Sequence, residues 1–408
     1  MLAFTFPGQG SQKPSMGSAW VDHPSFELAH LAGDILSRDI PGLLLSADET
    51  ELKQTENSQI ATFVLSLITL DAIERLGLEP TMVAGHSLGE YTALTATGAL
   101  SFEDGVRLVG ERGAAMGDAA YNQPGTMTAL LGISDEDAQI ACNLAEGNAW
   151  LANMNSPGQV VVSGDTQALE KVAETAKAMG AKKVVPLPVS GAFHSPFMEP
   201  ARERLRKALS AVSFRDSSPE VVANVDAKPH HKANEWPLLL SAQLCSPVRW
   251  HQSLTELYHH GMRTFIEIGP GNVLTGLTKK TLQNADAPVL ALSVSTPSDL
   301  ENLLERLSGQ NITEKNTESS SLYTMTERLV VSPGVGRFKA AEHLLEALPK
   351  LTQTTNQLIE IRAGDLIGWS GGQEIRTPFS GILHGILVLE GERLVAGQPV
   401  AWLRSTDV

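Results

Sequence analysis

The sequence predicts an α/β domain with a largely parallel sheet, followed by a smaller all-β domain. Up to about residue 307, short strand-forming runs alternate with longer helical stretches, the order of α/β proteins. A polar, aperiodic stretch at residues 308–326 interrupts this pattern, and strand signals dominate beyond it. The length of 408 residues allows two or three domains. We therefore predict domains at residues 1–307 and 327–405, joined by a linker at 308–326.

The first elements of the chain define the α/β pattern. Leu2–Phe6 predicts a strand, Ile60–Leu76 a helix and Thr81–Ala84 a second strand, and another helix begins near Leu88. Helices between strands favour crossover connections and hence parallel pairing.

The order of predicted strands and helices in residues 124–190 differs from that of the segments on either side. The predicted order is strand, helix, two strands, helix and strand, at Thr126–Leu131, Asp135–Ala145, Trp150–Asn153, Gln159–Ser163, Thr166–Met179 and Lys183–Val189. This βαββαβ order is that of a ferredoxin-like subdomain. Since the α/β pattern resumes afterwards, we predict an insertion, and we interpret Asp135 and Asp165, at the starts of its two helices, as helix caps.

The domain after residue 326 contains two weak internal sequence repeats. Ser332–Gly336 and Thr377–Gly381 share the pattern [ST]-P-x-x-G, and Gly364–Ile367 is similar to Gly391–Leu394. Two similar half-repeats predict a small β-barrel.

Composition excludes several classes of protein. With 42% apolar and 19% charged residues the chain is globular. Its net charge of −15 lies almost entirely upstream of residue 324 and has the wrong sign for a nucleic-acid binder. Two cysteines are too few for a disulfide framework, and residues 1–7 lack the features of a secretion signal. The longest apolar run, Ile60–Leu70, is about half the ~20 residues of a membrane span. We expect a cytoplasmic protein without a membrane segment.

The strongest chemical signal is a G-x-S-x-G motif at Gly85–Gly89. It directly follows a predicted strand and precedes a predicted helix, which is the setting of a nucleophile elbow in an α/β-hydrolase-like domain. Small neighbours allow the strained turn, and the N–H groups of the following helix point at the reacting oxygen. Ser87 is the predicted nucleophile.

A serine nucleophile requires a base, and the chain has 11 histidines. The adjacent pairs His230/His231 and His259/His260 lie in polar stretches and are interpreted as surface residues. His194 follows a strand and has small neighbours that permit close approach. From these features alone, His194 is either the base or an ordinary loop histidine.

Five motifs in order resemble the malonyl-CoA:acyl carrier protein transacylase family. They are F-P-G-Q-G-S-Q at Phe6–Gln12, G-H-S-L-G-E at Gly85–Glu90, N-M-N-S-P-G-Q at Asn153–Gln159, G-A-F-H-S at Gly191–Ser195 and E-I-G-P-G at Glu267–Gly271. The resemblance covers residues 1 to about 285. It implies an S-malonyltransferase (EC 2.3.1.39) that serves fatty-acid or polyketide synthesis.

The resemblance also assigns roles to individual residues. Ser87 attacks the malonyl thioester and His194 accepts its proton, while the backbone N–H groups of Gln9 and Leu88 hold the oxyanion. The glycines on either side of Gln9 let the main chain turn toward the ligand.

Three further residues receive roles from the same resemblance. Arg112 grips the free malonyl carboxylate, although an arbitrary helix arginine would be interpreted as paired with Glu111 or Asp118. The main-chain carbonyl of Gln243 orients the histidine. Phe193 narrows the pocket against a branched methylmalonyl group, a discrimination of only ~1–3 kcal/mol.

The implied reaction passes malonyl from malonyl-CoA to Ser87 and then to the phosphopantetheine thiol of acyl carrier protein. Neither a metal nor a redox cofactor is needed, and the sequence contains no Walker-type or G-x-G-x-x-G motif. Because carrier proteins of this family are acidic, positive charge must be concentrated locally. The candidates are Arg202, Arg204, Arg206 and Lys207, or Lys279 and Lys280, and each could equally lie on an ordinary solvated helix face.

From about residue 327 the chain resembles a biotinyl/lipoyl-type barrel. A carrier of that type presents a lysine on a hairpin tip, where this chain has W-S-G-G-Q at Trp369–Gln373; its only lysines here are Lys339 and Lys350. We therefore expect an unmodified docking or packing module.

Two rival functions stay open at the level of sequence. A serine thioesterase or other hydrolase would use the same elbow and release the acyl group to water. A non-enzymatic carrier or scaffold would depend on the tail. Arg112, the Gln9 segment and the lack of an evident acid partner for His194 favour transfer.

Overall fold

The structure, a computed structural model, describes residues 1–313, 326–341, 344, 359–378, 380–388 and 390–405. The chain divides into two compact units, Met1–Leu304 and Glu305–Val408.

The first unit contains ten strands. In chain order they are β1 (Leu2–Phe6), β2 (Met82–Gly85), β3 (Thr126–Leu131), β4 (Ala149–Ser156), β5 (Gln159–Gly164), β6 (Lys183–Pro186), β7 (Glu220–Val222), β8 (Pro229–His230), β9 (Thr264–Ile268) and β10 (Leu290–Val294). Six of them form the main sheet in the order β10-β9-β1-β2-β7-β8. All neighbours are parallel except β7 and β8. The predicted α/β fold with a largely parallel sheet is confirmed.

Helices surround this sheet and link its strands. They are α1 (Glu27–Leu36), α2 (Ile40–Leu45), α3 (Glu49–Lys53), α4 (Thr55–Glu74), α5 (Gly89–Ala96), α6 (Phe102–Asn122), α7 (Asp135–Leu144), α8 (Thr166–Ala178), α9 (Glu199–Ser210), α10 (Trp236–Gln243), α11 (Trp250–His259), α12 (Val273–Thr281) and α13 (Pro297–Thr313). Short 3₁₀ turns lie at Ser18–Trp20, Pro24–Phe26 and Pro196–Met198. Among the residues described, no helix has both the length and the apolar character needed to cross a bilayer.

The central helix α4 is longer at its start than the sequence predicts. It begins at Thr55 instead of Ile60 and ends at Glu74 instead of Leu76. Polar residues of its first turns, including Asn57 and Gln59, are buried together with the apolar ones. An apolar pattern cannot reveal a helix start whose inward side chains are polar.

The inserted segment forms its own four-stranded sheet. Its strand order is β4-β5-β3-β6, with every neighbouring pair antiparallel. The elements follow the predicted βαββαβ order, and α7 and α8 pack against the sheet over an apolar cluster that includes Leu130, Val160 and Leu169.

The two helix caps predicted in this insertion are wrong in detail. The cap of α7 is Ser134, whose hydroxyl accepts a bond from the Asp137 N–H at 3.0 Å. Asp165 occupies the N-cap position of α8 without capping it, and its carboxylate instead accepts two bonds from Asn148. A capping preference identifies a helix start better than it identifies the bond made there.

The insertion is joined to the main sheet by backbone and side-chain bonds. Val248 exchanges main-chain hydrogen bonds with the edge strand β4, donating to Ala152 and accepting from Met154, both at 2.9 Å. His251 on α11 contacts Asp135 on α7, with 2.7 Å between Nε2 and Oδ2. These contacts hold the two sheets of the first unit against each other beside the carboxyl end of β2.

Apart from part of α13 and the helical residue Leu344, the regular structure described in the second unit is all-β. Its strands are β11 (Thr326–Val331), β12 (Gly336–Ala340), β13 (Ile359–Ile361), β14 (Leu366–Ser370), β15 (Gln373–Arg376), β16 (Gly381–Ile386), β17 (Arg393–Leu394) and β18 (Pro399–Ser405). They form two four-stranded sheets, ordered β11-β18-β16-β13 and β15-β14-β12-β17. An apolar cluster that includes Val330, Phe338, Ile367 and Leu403 draws residues from both sheets.

The two copies of each internal sequence repeat occupy equivalent places in this unit. Ser332–Gly336 leads from β11 to β12, and Thr377–Gly381 leads from β15 to β16, so each segment passes between the two sheets; Phe379 lies outside the described residues. Gly364 and Gly391, both with positive φ, precede β14 and β17.

The predicted linker at 308–326 overlaps regular structure at both ends. Residues 308–313 belong to α13, and Thr326 begins β11. Residues 314–325 lie outside the described part of the chain. Polar composition marked the boundary, but it did not exclude a helical extension into it.

Candidate active site

Ser87 stands in a tight turn between β2 and α5, as the G-x-S-x-G motif predicts. Its φ is +53°, a left-handed conformation that non-glycine residues rarely adopt. A Cβ on Gly85 would overlap the backbone of Gly89, and a Cβ on Gly89 would overlap the carbonyl of Phe6 on β1. Both glycines are therefore required by close backbone approach, and the motif marks a packed, strained elbow.

The base predicted for Ser87 is within hydrogen-bonding distance. Nε2 of His194 lies 2.7 Å from Oγ of Ser87, although 107 positions separate them in the chain. Nδ1 of His194 lies 2.9 Å from the main-chain oxygen of Gln243. Because a carbonyl can only accept, Nδ1 carries the ring proton, and Nε2 is left free to accept the proton of Ser87.

The surroundings of His194 keep its imidazole neutral. Its side chain is buried, and burial together with the nearby Arg112 guanidinium lowers the pKa of His194 to about 3. The histidine is therefore an uncharged base near neutral pH, ready to accept a proton.

Arg112 lies on α6 and is buried, with 1% of its surface exposed. Its Nη2 donates to Oγ of Ser87 at 3.1 Å and to Oε1 of Gln243 at 2.9 Å, and its Nη1 donates to Oε1 of Gln59 at 2.6 Å. The guanidinium also stands 5.4 Å from the centroid of the Tyr91 ring. Burial lowers its pKa.

The alternative interpretation of Arg112, a solvated arginine paired with Glu111 or Asp118, is wrong. Both of those carboxylates bind Arg204 instead. A cation beside the nucleophile whose hydrogen bonds go only to neutral groups is suited to bind an anionic substrate.

The two backbone groups predicted to hold an oxyanion flank the elbow. Leu88 is the N-cap residue of α5. Gln9 follows Gly8, where a Cβ would lie 2.5 Å from the carbonyl oxygen of His86. In the part of the chain that the structure describes, no acceptor is bonded to the main-chain N–H of either Gln9 or Leu88. Neither N–H group is therefore engaged by another group of the described residues.

Phe193 directly precedes His194 and is 5% exposed. Its ring lies close to Gly191, where an added Cβ would be 3.3 Å from Cε1 of Phe193. The ring is thus held in the loop that carries the base.

His86, the residue before the nucleophile, joins the elbow to the inserted sheet. Its Nε2 lies 2.9 Å from Oδ1 of Asn155 on β4, and its ring packs edge to face on Trp250 at 5.3 Å between centroids. Burial lowers its pKa. It packs away from the Ser87 hydroxyl and fixes one side of the turn.

Sequence reasoning missed two residues that hold the elbow and one that holds the arginine. Asn224, after β7, accepts a bond from the Ser87 N–H at 2.7 Å and donates to the Gly85 carbonyl at 2.6 Å. Glu90 accepts a bond from the Asn224 N–H at 2.7 Å, and Gln59 binds Arg112 as described above. Glu90 stood inside a quoted motif; for Asn224 and Gln59 the only signal was a lone amide beside an apolar run.

Several of the remaining histidine and arginine candidates are paired with acidic residues. His230 contacts Asp226 and Glu235, and in the described residues no group of histidine, cysteine and acidic side chains is arranged to hold a metal ion. Arg202 pairs with Glu199 and Arg206 with Glu203, so the three arginines of α9 are each already paired within the chain. Lys279 and Lys280 lie in the last turn of α12.

Comparison with known proteins shows the family of the chain. The family model described as an acyl transferase domain matches residues 3–319. A malonyl CoA-acyl carrier protein transacylase of Bacillus subtilis is 40% identical over 315 residues, covering 76% of this chain and 98% of that protein. An acyl carrier protein S-malonyltransferase structure from Vibrio cholerae is 35% identical, with a TM-score of 0.71 over 74% of this chain and 99% of that one. A malonyl-transacylase solved with its type II PKS acyl-carrier protein is also 35% identical, with a TM-score of 0.70 over 75% and 99%.

Proposed function

Because the chain belongs to the acyl transferase domain family, we propose that it transfers malonyl from malonyl-CoA to the phosphopantetheine thiol of an acyl carrier protein. The relatives that support this activity are matched over nearly their whole length. The group is carried between the two thiols as an ester of Ser87.

One observation carries the proposal: a neutral base and a buried cation meet at the same hydroxyl. Oγ of Ser87 lies 2.7 Å from Nε2 of His194 and 3.1 Å from Nη2 of Arg112. A base alone fits any serine enzyme, whereas a fixed, desolvated guanidinium next to the nucleophile fits an acyl group with its own carboxylate.

The first half-reaction uses the Ser87–His194 pair. The Ser87 proton passes to Nε2 of His194 as Oγ bonds to the thioester carbon, which forms a tetrahedral oxyanion. The N–H groups of Gln9 and Leu88 are the proposed donors to that oxyanion. When the C–S bond breaks, the leaving sulfur of CoA takes the proton from His194, and malonyl remains on Ser87.

The second half-reaction reverses these steps with a new thiol. The phosphopantetheine S–H gives its proton to His194, its sulfur attacks the malonyl ester, and the Ser87 oxygen recovers the proton as it leaves. Atoms and protons balance with no added cofactor. His194 acts as base and then acid in both halves, while the Gln243 carbonyl holds its ring.

Arg112 is the proposed site of the malonyl carboxylate. Its guanidinium bonds only neutral partners in the free protein, so a carboxylate would provide the charge-assisted pairing that they cannot. Phe193, fixed beside the base, is proposed to restrict the space for a methyl branch. The first role concerns a full charge and is the stronger determinant.

The runner-up function is a serine thioesterase or other hydrolase. That function would be favoured by a carboxylate behind the histidine, as in the Ser-His-Asp arrangement. Here Nδ1 of His194 faces the main-chain oxygen of Gln243. This partner and the placement of Arg112 support transfer.

We propose the second unit as an unmodified, biotinyl/lipoyl-like barrel that docks or packs. Its strands form two four-stranded sheets, and the connections between the sheets contain the internal sequence repeats. The tip of the β14–β15 hairpin is Gly371-Gly372, with no lysine to modify. We keep the proposed domain limits at residues 1–307 and 327–405, although helix α13 enters the linker between them. A non-enzymatic carrier role would require an acyl or prosthetic group on this unit.

The acceptor is proposed to be an acidic carrier protein, with Lys207 or the pair Lys279 and Lys280 as the remaining docking candidates. The α9 arginines are weaker candidates because each has an acidic partner. A cytoplasmic location is proposed on the basis of two free cysteines, Cys142 and Cys245.

The decisive experiment is incubation of the full chain with malonyl-CoA, followed by peptide mapping. We expect one malonyl adduct, on Ser87, which a carrier protein thiol removes much faster than water does. Release to water at the same rate with and without the thiol would favour the hydrolase. An adduct on a lysine of the tail with none on Ser87 would favour the carrier.

A further inference from the structure

Glu90 is a buried carboxylate at the start of α5 whose role the transfer mechanism leaves open. It is 0% exposed. Oε1 accepts a bond from the Asn224 N–H at 2.7 Å, and Oε2 accepts one from Nε2 of Gln243. Among the residues the structure describes, no Lys, Arg or His nitrogen lies within salt-bridge distance of Glu90.

Gln243 connects this carboxylate to three groups of the active site. Its main-chain oxygen binds His194, its Nε2 donates to Glu90 and to the Ser87 carbonyl at 2.8 Å, and its Oε1 accepts from Arg112. One residue therefore contacts the base, the backbone of the nucleophile and the proposed malonyl-binding cation.

The orientation of the Gln243 amide is decided by its partners. An amide has one donating and one accepting end, and exchanging the two ends would reverse all three side-chain bonds. The Ser87 carbonyl only accepts and the Arg112 guanidinium only donates, so Nε2 must face the first and Oε1 the second. Glu90 adds a third constraint, because its carboxylate accepts from Nε2. A neutral amide in place of Glu90 removes this third constraint.

We propose that Glu90 is a positioning residue for malonyl recognition, acting through the Gln243 amide to hold the Arg112 guanidinium at Ser87. This rests on the proposed function, in which Arg112 receives the malonyl carboxylate. Glu90 touches neither the acyl group nor the reacting atoms.

The burial of Glu90 agrees with a role other than stability. Burial raises its pKa to about 7, and the Asn224 N–H, Gln243 and the Arg112 charge offset only part of that effect. The groups that act on it come from several elements: Arg112 from α6, Gln243 from α10, and Asn224 and the like-charged Asp226 from the segment after β7. Burial therefore opposes the ionised form of Glu90, a cost that a neutral side chain would not carry.

The test compares malonyl and acetyl loading of Ser87 in the full chain and in Glu90→Gln. The substituted side chain keeps an oxygen for the Asn224 N–H, but its NH₂ would face the NH₂ of Gln243. We expect kcat/KM for malonyl loading to fall about 10- to 100-fold, the loss for one misplaced bond to a charged group. Acetyl loading should fall by no more than about threefold, because acetyl has no carboxylate to place at Arg112.

Glu267→Gln is the matched control. Glu267 on β9 is also buried, at 1% exposed, and accepts a bond from the Thr275 N–H at 2.7 Å, but it bonds nothing at Arg112. The malonyl-to-acetyl ratio should be unchanged in this variant. A similar fall in the ratio for both glutamates would overturn the proposal.

A second variant keeps the proposal falsifiable if Glu90→Gln does not fold. Gln243→Met preserves the main-chain carbonyl and the side-chain length but removes the amide. We expect it to show the same loss of malonyl preference, and an unchanged preference would overturn the proposal. Where Glu90→Gln folds, adding it to this background should cause no further loss. Independent, additive losses would overturn the link between the two residues.

Failure of this proposal can be told apart from failure of the proposed function. If the unaltered chain loads malonyl onto Ser87 but Glu90→Gln keeps the malonyl-to-acetyl ratio, only the positioning role falls. Equal losses for both acyl groups with a lowered melting temperature would also overturn it, because they indicate a structural role. If the unaltered chain loads neither acyl group, the proposed function itself fails.

Discussion

Two glycine-containing turns of this molecule have similar backbone conformations but differ in the side chains that they carry and in how closely they are packed. At the elbow, Ser87 has a φ of +53° between Gly85 and Gly89; at the tip of the β14–β15 hairpin, Gly371 and Gly372 have φ of +56° and +88°. A Cβ on Gly89 would overlap the backbone of Phe6, whereas a Cβ on Gly372 would meet nothing within 4 Å. The elbow is enclosed and carries a side chain. The hairpin tip carries none, and it is open at Gly372, although a Cβ on Gly371 would lie 2.6 Å from the carbonyl oxygen of Val335.

The difference shows that a left-handed turn becomes reactive only through what surrounds it. Ser87 has a base, a cation and a backbone clamp around it, provided by His194, Arg112 and Asn224. At the hairpin tip the same kind of backbone freedom serves only to reverse the chain. The predictions below test this contrast, beginning with the largest effect.

Ser87→Ala should abolish the acyl-enzyme. Without the hydroxyl neither half-reaction has a nucleophile, so transfer should fall at least about 10³-fold. Mass spectrometry after incubation with malonyl-CoA measures the adduct. An unchanged rate of transfer, or an adduct transferred to the second unit, would remove the distinction between the two turns.

Gly89→Ala should disrupt the elbow without removing any reacting group. The new methyl overlaps the Phe6 carbonyl on β1, so α5 or β1 must shift, with a destabilisation of about 3 kcal/mol or more. A displacement of about 1 Å at Ser87 should lower transfer about 10²-fold. Denaturant unfolding and Ser87 loading measure the two effects; a stable, fully active variant would show that the enclosure is unnecessary.

Arg112→Ala should separate acyl groups by their charge. Truncating a buried partner of a carboxylate weakens its binding, so malonyl loading should fall about 10²-fold. Acetyl loading has no carboxylate to lose, and it should improve relative to malonyl loading. Competition between the two thioesters measures the ratio, with Arg112→Lys as the charge-preserving control. Equal loss of both would contradict the carboxylate role.

Much of the site was predictable because its motifs are local. The elbow, the histidine loop and the arginine each sit in short patterns, and the geometry brings Ser87, His194, Arg112 and the Gln243 carbonyl together. Asn224 and Gln59 were missed because their contacts join positions 137 and 53 residues apart, with no spacing to indicate them. The start of α4 and the end of α13 were misplaced for a related reason: an apolar pattern does not reveal turns whose inward or terminal residues are polar.

Burial of His194 should make stability depend on pH. Its pKa is about 3 in the folded chain, below the ordinary 6.5, so between these values the unfolded chain binds a proton that the folded chain does not. This contribution to stability is present above pH 6.5 and is lost as the pH falls. At pH 5 the loss is about 2 kcal/mol. Thermal melting at pH 7.5 and pH 5 should show a smaller difference for His194→Gln than for the unaltered chain; an equal difference would mean that the base is hydrated.

Gly372→Ala should have the smallest effect. Nothing lies within 4 Å of the added methyl, so the change introduces only the strain of a side chain at a φ of +88°, about 1 kcal/mol. Malonyl loading and transfer should be unchanged, because the turn carries no side chain that could take part in the reaction. Unfolding monitored with a probe in the second unit measures the strain. The transfer assay measures malonyl loading and transfer. If transfer fell as far in Gly372→Ala as in Gly89→Ala, the hairpin tip would take part in the reaction. Its lack of side chains would leave that role unexplained.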